Sequence, residues 1–155
     1  LQTFYSRCQD KLDWATANLN DGRQSLVFVK YLEEADLLLQ RLDSAAEFTG
    51  RYKSELADFA SGKTRVLVCT YGTGSYGLNL QHCQRVVFFT QTFDWKAKEQ
   101  ALHRVYRIGQ AKDVTVHDLW VGTGLEEIVK KSLAKKQTTA ANVQKFIEQN
   151  GVGAL

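Results

Sequence analysis

The sequence predicts an α/β domain, a mainly parallel sheet with helices on both faces. Short, nearly all-apolar runs recur along the chain, each the length of a strand buried on both sides. Between them lie segments with apolar residues at helical spacing. Buried strands that alternate with helices pair in parallel, because the helix supplies the crossover from one strand to the next.

The elements follow in order. Phe4, Cys8, Leu12, Ala15 and Leu19 mark a helix that Asn20-Asp21-Gly22 ends. Residues 25–30 (Ser-Leu-Val-Phe-Val-Lys) form the first strand. Tyr31, Ala35, Leu38, Leu39 and Leu42 mark an amphipathic helix. A short strand fits 45–49, and a helix over 53–60 stops at Gly62. Residues 65–70 are a strand leading into the glycine-rich stretch 71–77. Residues 85–90 are another strand, 96–108 a helix and 114–119 a strand. Thr123 and Glu126 have capping-box spacing and open a helix through Leu133. A last helix spans about 138–149. The expected organisation is one domain: an N-terminal helix over 1–20, the main lobe over 21–136 and a helical extension over 137–155.

Composition narrows the classes. The chain has 155 residues, 44% hydrophobic and 24% charged, which excludes a disordered tail or a collagen-like chain. No apolar run approaches the ~18 residues of a membrane-spanning helix. The three cysteines, Cys8, Cys69 and Cys83, are odd in number and unrelated in spacing, so a reducing compartment is expected. Proline and methionine are absent and position 1 is Leu, so the sequence reads as a piece of a longer or processed chain. Residues 1–50 carry five Lys/Arg against eight Asp/Glu, and residues 51–155 fifteen against nine. The basic later part permits a polyanionic partner.

The densest chemical signal is Gln100-Ala-Leu-His-Arg104-Val-Tyr-Arg107-Ile-Gly-Gln110. On a helix Gln100, Arg104 and Arg107 fall within about 60° of one another. Ala97, Ala101, Val105 and Ile108 form the adjoining apolar stripe. Two guanidiniums one turn apart beside an anchored face suit a delocalised anion such as a phosphoryl group. A solvated face with incidental arginines is the bland alternative. Lys98 is read as a charge on another side of the helix, without a role.

Residues 70–80 hold a literal G-x-G-x-x-G after a strand: Gly72, Gly74 and Gly77. A dinucleotide-binding (Rossmann) unit would need a crossover helix before the next strand near Arg85, and the gap is too short. No Gly-Lys-Ser/Thr follows, so it is not a phosphate loop of that kind either. Asn79 between Leu78 and Leu80 reads as a polar group held by apolar neighbours. His82, Cys83, Cys69 and His103 match no standard metal spacing. Lys130, Lys131, Lys135 and Lys136 read as a solvated helix face, with phosphate contact as the alternative.

Together these stretches resemble the C-terminal RecA-like lobe of superfamily-two helicases, specifically of Swi/Snf-type ATPases. Gln100 to Gln110 looks like motif VI, with the Arg107-Ile-Gly-Gln ending its most specific part. Thr73 to Leu80 looks like motif V. Residues 25–31 sit where motif IV is expected, and Phe48-Thr49-Gly50 resembles the stretch called motif IVa. The resemblance spans about residues 20–135. Thr90 stands where the family often has Asp, and Trp95-Lys96-Ala97 where it has Trp-Asn-Pro. These departures point to a bacterial or phage parent.

The resemblance implies a RecA-like three-layer domain that forms half of a motor. ATP and Mg²⁺ would be shared with an N-terminal RecA-like lobe of the same parent chain. Arg107 and Arg104 would be arginine fingers and Gln100 an orienting residue. Gly74, Gly77 and Asn79 would meet the nucleotide. Thr49, Gly50, Arg51, Thr73 and Ser75 would contact DNA, mostly through its phosphate backbone. The parent would be cytoplasmic if bacterial or phage and nuclear if eukaryotic. The rival readings are a Rossmann-type oxidoreductase domain and a non-catalytic nucleic-acid-binding module.

Overall fold

The computed structural model describes residues 2–51, 56–73, 83–105, 113–121, 124–135 and 147–149. Five parallel strands form one sheet: β1 (Ser25–Val29), β2 (Ala45–Phe48), β3 (Val66–Thr70), β4 (Arg85–Phe88) and β5 (Thr115–Asp118). Their order across the sheet is β2-β3-β1-β4-β5. The helices are α1 (Gln2–Leu19), α2 (Leu32–Arg41), α3 (Leu56–Ala60), α4 (Trp95–Val105) and α5 (Gly124–Lys135).

Strand composition accounts for the sheet's interior. β1 and β4 are buried at every position, which is why they read as apolar runs after Ser25 and Arg85. Alternate residues serve opposite cores. Leu26, Phe28, Leu67, Cys69, Val86 and Phe88 face one side, with Phe59 of α3 and Ala101 of α4. Val27, Val29, Val66, Val68 and Val87 face the other, with Leu12, Ala15 and Leu19 of α1 and Ala35 and Leu38 of α2. This is the expected three-layer architecture, with helices on both faces. β5 is the exception in burial: its residues are exposed or half-buried, as suits an edge strand.

The registers start the strands level, Ser25 lying opposite both Val66 and Arg85. All loops that follow strands therefore emerge at one edge of the sheet, the carboxyl edge.

Turn chemistry matches the sequence at both predicted glycine stops, Gly22 and Gly62, whose φ angles are +81° and +79°. Several boundaries shift, β2, β3 and β5 by a residue at one or both ends. β1 stops at Val29 and β4 at Phe88, where the Phe28 carbonyl accepts from the Phe89 amide at 3.0 Å and also from the Thr90 amide at 3.4 Å. α4 starts at Trp95, where the Asp94 carboxylate accepts the Lys96 N–H at 2.9 Å. Thr123, the predicted cap of α5, lies outside the described residues. Its expected partner Glu126 accepts from the Val121 amide at 2.5 Å and from Lys11 Nζ of α1 at 3.3 Å. The predicted last helix is described only at 147–149, which is helical.

Candidate nucleotide and nucleic-acid face at the carboxyl edge

The strand ends gather several of the predicted residues. β2 runs into Thr49-Gly50-Arg51 and β3 into Tyr71-Gly72-Thr73, and Phe48 pairs with Cys69, so the two loops leave side by side. Gly50 has φ +92°, a left-handed backbone that only glycine adopts without strain. A Cβ there would stand 3.9 Å from the Thr73 hydroxyl, which is ordinary contact, so the backbone angle rather than crowding calls for glycine. The Thr73 hydroxyl is itself 2.5 Å from that of Thr70.

Thr49 donates its hydroxyl to the buried Glu47 carboxylate. Arg51 donates from Nε to Glu47 at 2.8 Å and from Nη2 to Asp36 of α2 at 2.7 Å. These two carboxylates hold the guanidinium's pKa above its usual value. The loop carrying Thr49 and Gly50 is thus fastened to β2 and α2 by its own arginine.

The next loop is anchored by Tyr71. Its ring lies against Phe28 and Phe88, at centroid distances of 5.3 and 6.0 Å, and its hydroxyl donates to the Thr90 carbonyl at 2.7 Å. Sequence reasoning passed over Tyr71, although an aromatic directly after a buried strand is a visible signal of such an anchor.

Between these loops and β4 sits Glu34, in the first turn of α2 and 4% exposed. Burial pushes its carboxyl up, against the opposing effects of the Thr90 side chain, the Tyr31 amide and the Lys11 charge. Lys30, at the end of β1, is shifted down by burial, partly offset by Glu34. Its Nζ rests 3.2 Å from the centroid of the Phe93 ring.

α4 carries Gln100 and Arg104 of the predicted arginine face. Ala101 is fully buried, and Ala97 and Leu102 pack on the same core. Gln100 is exposed. Arg104 lies in the last turn of α4, its side chain outside the description, and Arg107 lies outside the described residues, as do Gly74, Ser75, Gly77 and Asn79. The described part of the face fits an anionic group: Lys96 is exposed one turn before Gln100, and no carboxylate shares that line of positions.

Lys98 departs from its predicted lack of a role. Its side chain is 16% exposed and pairs with Asp118 of β5 at 2.6 Å. Among the described residues no group of His, Cys, Asp and Glu could hold a metal ion. No described helix is long and apolar enough to cross a membrane.

The model of the helicase conserved C-terminal domain matches residues 8–109. The chain belongs to that family. Its relatives are Swi/Snf-type proteins: it is 28% identical over 126 residues to the chromatin-remodeling ATPase INO80 of Pyricularia oryzae, covering 81% of this chain and 6% of that one. It is 31% identical to the mouse DNA excision repair protein ERCC-6-like, covering 82% and 12%. It is 30% identical to the uncharacterized ATP-dependent helicase YqhH of Bacillus subtilis, covering 81% and 22%. The chain thus spans less than a quarter of these relatives. The fold is that of the C-terminal part of the Fun30 ATPase domain, with a TM-score of 0.70, 22% identity and coverage of 80% and 44%. It is also that of Saccharomyces cerevisiae Dbp5 bound to RNA and ADP BeF3, with a TM-score of 0.65, 19% identity and coverage of 92% and 42%.

Proposed function

We propose that this chain is the second, C-terminal motor lobe of an ATP-dependent DNA translocase or helicase. The observation that carries the reading is the convergence of the Thr49-Gly50 loop and the Thr73 loop at the carboxyl edge of one parallel sheet, which α4 also adjoins. Open α/β sheets bind their ligands at that edge. Family membership supports the motor class, and the paired N-terminal lobe would supply the phosphate loop, the Mg²⁺ ligands and the catalytic base that this sequence lacks.

In this reading ATP is the substrate and its γ-phosphoryl group passes to water. Arg107 and Arg104 meet the charge that grows on the transferring group, and the planar guanidinium spans two of its oxygens. Gln100, exposed one turn earlier on the same line, orients that arrangement. Gly74, Gly77 and Asn79, which follow β3 in the sequence, meet the nucleotide. Thr49, Gly50, Thr73 and Ser75 contact DNA phosphates, which carry no sequence information and so require no base-reading side chains. Arg51 joins them by exchanging Asp36 for a phosphate oxygen.

The test uses the parent protein and the isolated chain together. DNA-stimulated ATP turnover is expected only from the parent. In the parent, Arg107→Ala should lower turnover about 10³-fold or more, as loss of an arginine finger does. Melting should not change, because helical spacing sets Arg107 apart from the apolar stripe of Ala97, Ala101, Val105 and Ile108. Near-normal turnover by Arg107→Ala, or Mg²⁺-dependent turnover by the isolated chain, would refute the assignment.

A further inference from the structure

α4 reaches the sheet through more than its apolar stripe. Lys98 Nζ donates to Asp118 Oδ1 at 2.6 Å and to Gln91 Oε1 at 2.9 Å. Gln91 is 5% exposed, and its Nε2 lies 3.4 Å from both the Phe88 carbonyl and Asp118 Oδ1. The ammonium also stands 4.7 Å from the Phe88 ring centroid and 5.9 Å from that of Trp120. One cation therefore ties the start of α4 to the end of β4 and the end of β5, the two strands that α4 connects.

This triangle differs from a surface ion pair. Lys98 is 16% exposed and has a carboxylate, an amide oxygen and an aromatic face around it. Ala97, Ala101 and Leu102 pack α4 on the sheet by contacts that have no direction of their own. The charge-assisted hydrogen bonds of Lys98 add a directed constraint to that packing.

We propose that Lys98 is a positioning residue for phosphoryl transfer: through Asp118 and Gln91 it sets the placement of the helix face that bears Gln100 and Arg104. The proposal rests on the motor reading above. Lys98 touches no substrate; it acts through the helix. An arginine finger stabilises the transition state, and a misplacement of about 1 Å can cost on the order of 10² in rate. The expected signature is a fall in kcat with little change in KM, since the nucleotide's ground-state contacts belong mainly to the other lobe in this reading.

The experiment measures DNA-stimulated ATP turnover and thermal melting in the full-length parent. Lys98→Met, which keeps the aliphatic stem, should lower kcat per folded molecule about 10- to 100-fold with KM for ATP within about threefold. Lys98→Arg, which keeps the charge opposite Asp118, should recover most of the loss. Asp118→Asn should lower kcat less than Lys98→Met, and the double variant should be no worse than Lys98→Met alone. Lys63→Ala, an exposed charge at the opposite edge of the sheet, should leave turnover unchanged. A kcat within twofold of native for Lys98→Met overturns the proposal, whatever happens to melting. If that variant does not fold, Asp118→Asn decides by the same criterion. Arg107→Ala run in parallel separates the two levels. Silence there refutes the motor reading, whereas a large loss there with a silent Lys98→Met refutes only the positioning role.

Discussion

At the amino edge of the sheet, Arg85 is 7% exposed in its side chain and gives three donors to partners that precede β1 or begin it. Nη1 and Nη2 reach the two oxygens of Asp21 at 3.1 and 2.8 Å, and Nε reaches Ser25 Oγ at 2.9 Å. Backbone bonds close the same edge: Ser25 N–H to Arg65 O, Gln84 N–H to Gln24 O and Thr115 N–H to Gln84 O. At the carboxyl edge the same strands open into loops with a left-handed glycine, a threonine pair, and the exposed rings of Tyr31 and Phe93. One edge is closed by a single cluster around Arg85. The other holds its polar groups in separate local pairs at the bases of its loops, beside a buried acid. The difference teaches where to expect stability effects and where to expect effects on turnover.

The Arg85 clamp gives the largest expected stability change and an asymmetry that can break the comparison. Asp21→Ala leaves a buried guanidinium without its carboxylate and should cost about 2 kcal/mol. Arg85→Met leaves Asp21, whose side chain is 37% exposed and open to water, and should cost less than half as much. Chemical denaturation of the two variants measures both. Turnover per folded molecule should be native in each. The reverse order of costs would mean that Arg85 contributes through packing rather than through its pairing.

Two glycines sharpen the contrast next. Gly22 at the amino edge and Gly50 at the carboxyl edge have φ of +81° and +92°, and an added Cβ meets nothing closer than 3.9 Å at either. Alanine at either site should therefore cost about 1 kcal/mol from backbone strain alone. Only Gly50→Ala should also weaken DNA-stimulated turnover in the parent, because only its loop faces the proposed nucleic acid. Equal turnover in the two variants would remove the Thr49-Gly50 loop from that role.

The sequence made the frame legible and left the cross-links hidden, for physical reasons. Strands β1, β3 and β4 are buried on both faces, so their apolar runs identify them without any partner. Arg85 and Asp21 are 64 residues apart, and Asp21 looked like a turn residue because turn chemistry was its local signal. The pairing of Arg51 with Asp36 was hidden because Asp36 becomes a neighbour only when α2 packs beside β2. Lys98 was legible and misread. At 100° per residue it stands about 60° from Ala101 and about 40° from Leu102, so it shares the buried side of α4. A lysine in that position needs an acceptor, and Asp118 at the end of the next strand is one.

The smallest expected effect compares the edges by pH. Asp21 is held below its ordinary pKa, first by its hydrogen bonds to Arg85. A lowered acid stabilises the fold above its unfolded pKa, and that contribution is lost as pH falls through the folded value. Glu34 runs the other way. Burial raises it, so its contribution is fully present below the unfolded pKa of about 4.3 and is lost as pH rises through the folded value. The two windows lie on opposite sides of the ordinary carboxylate range, so one melting series resolves them. Glu34→Gln keeps an oxygen for the Tyr31 amide, which Glu34 accepts at 3.2 Å, and removes only the charge. Its expected signature is a flatter melting profile from pH 4 upward and a higher melting temperature than native at pH 7, with no change in the acid limb that Asp21 controls. A lower melting temperature at pH 7 would mean that the attraction of the Glu34 carboxylate to Lys11 and Lys30 outweighs its burial, and the carboxyl edge would then be closed by charge as the amino edge is.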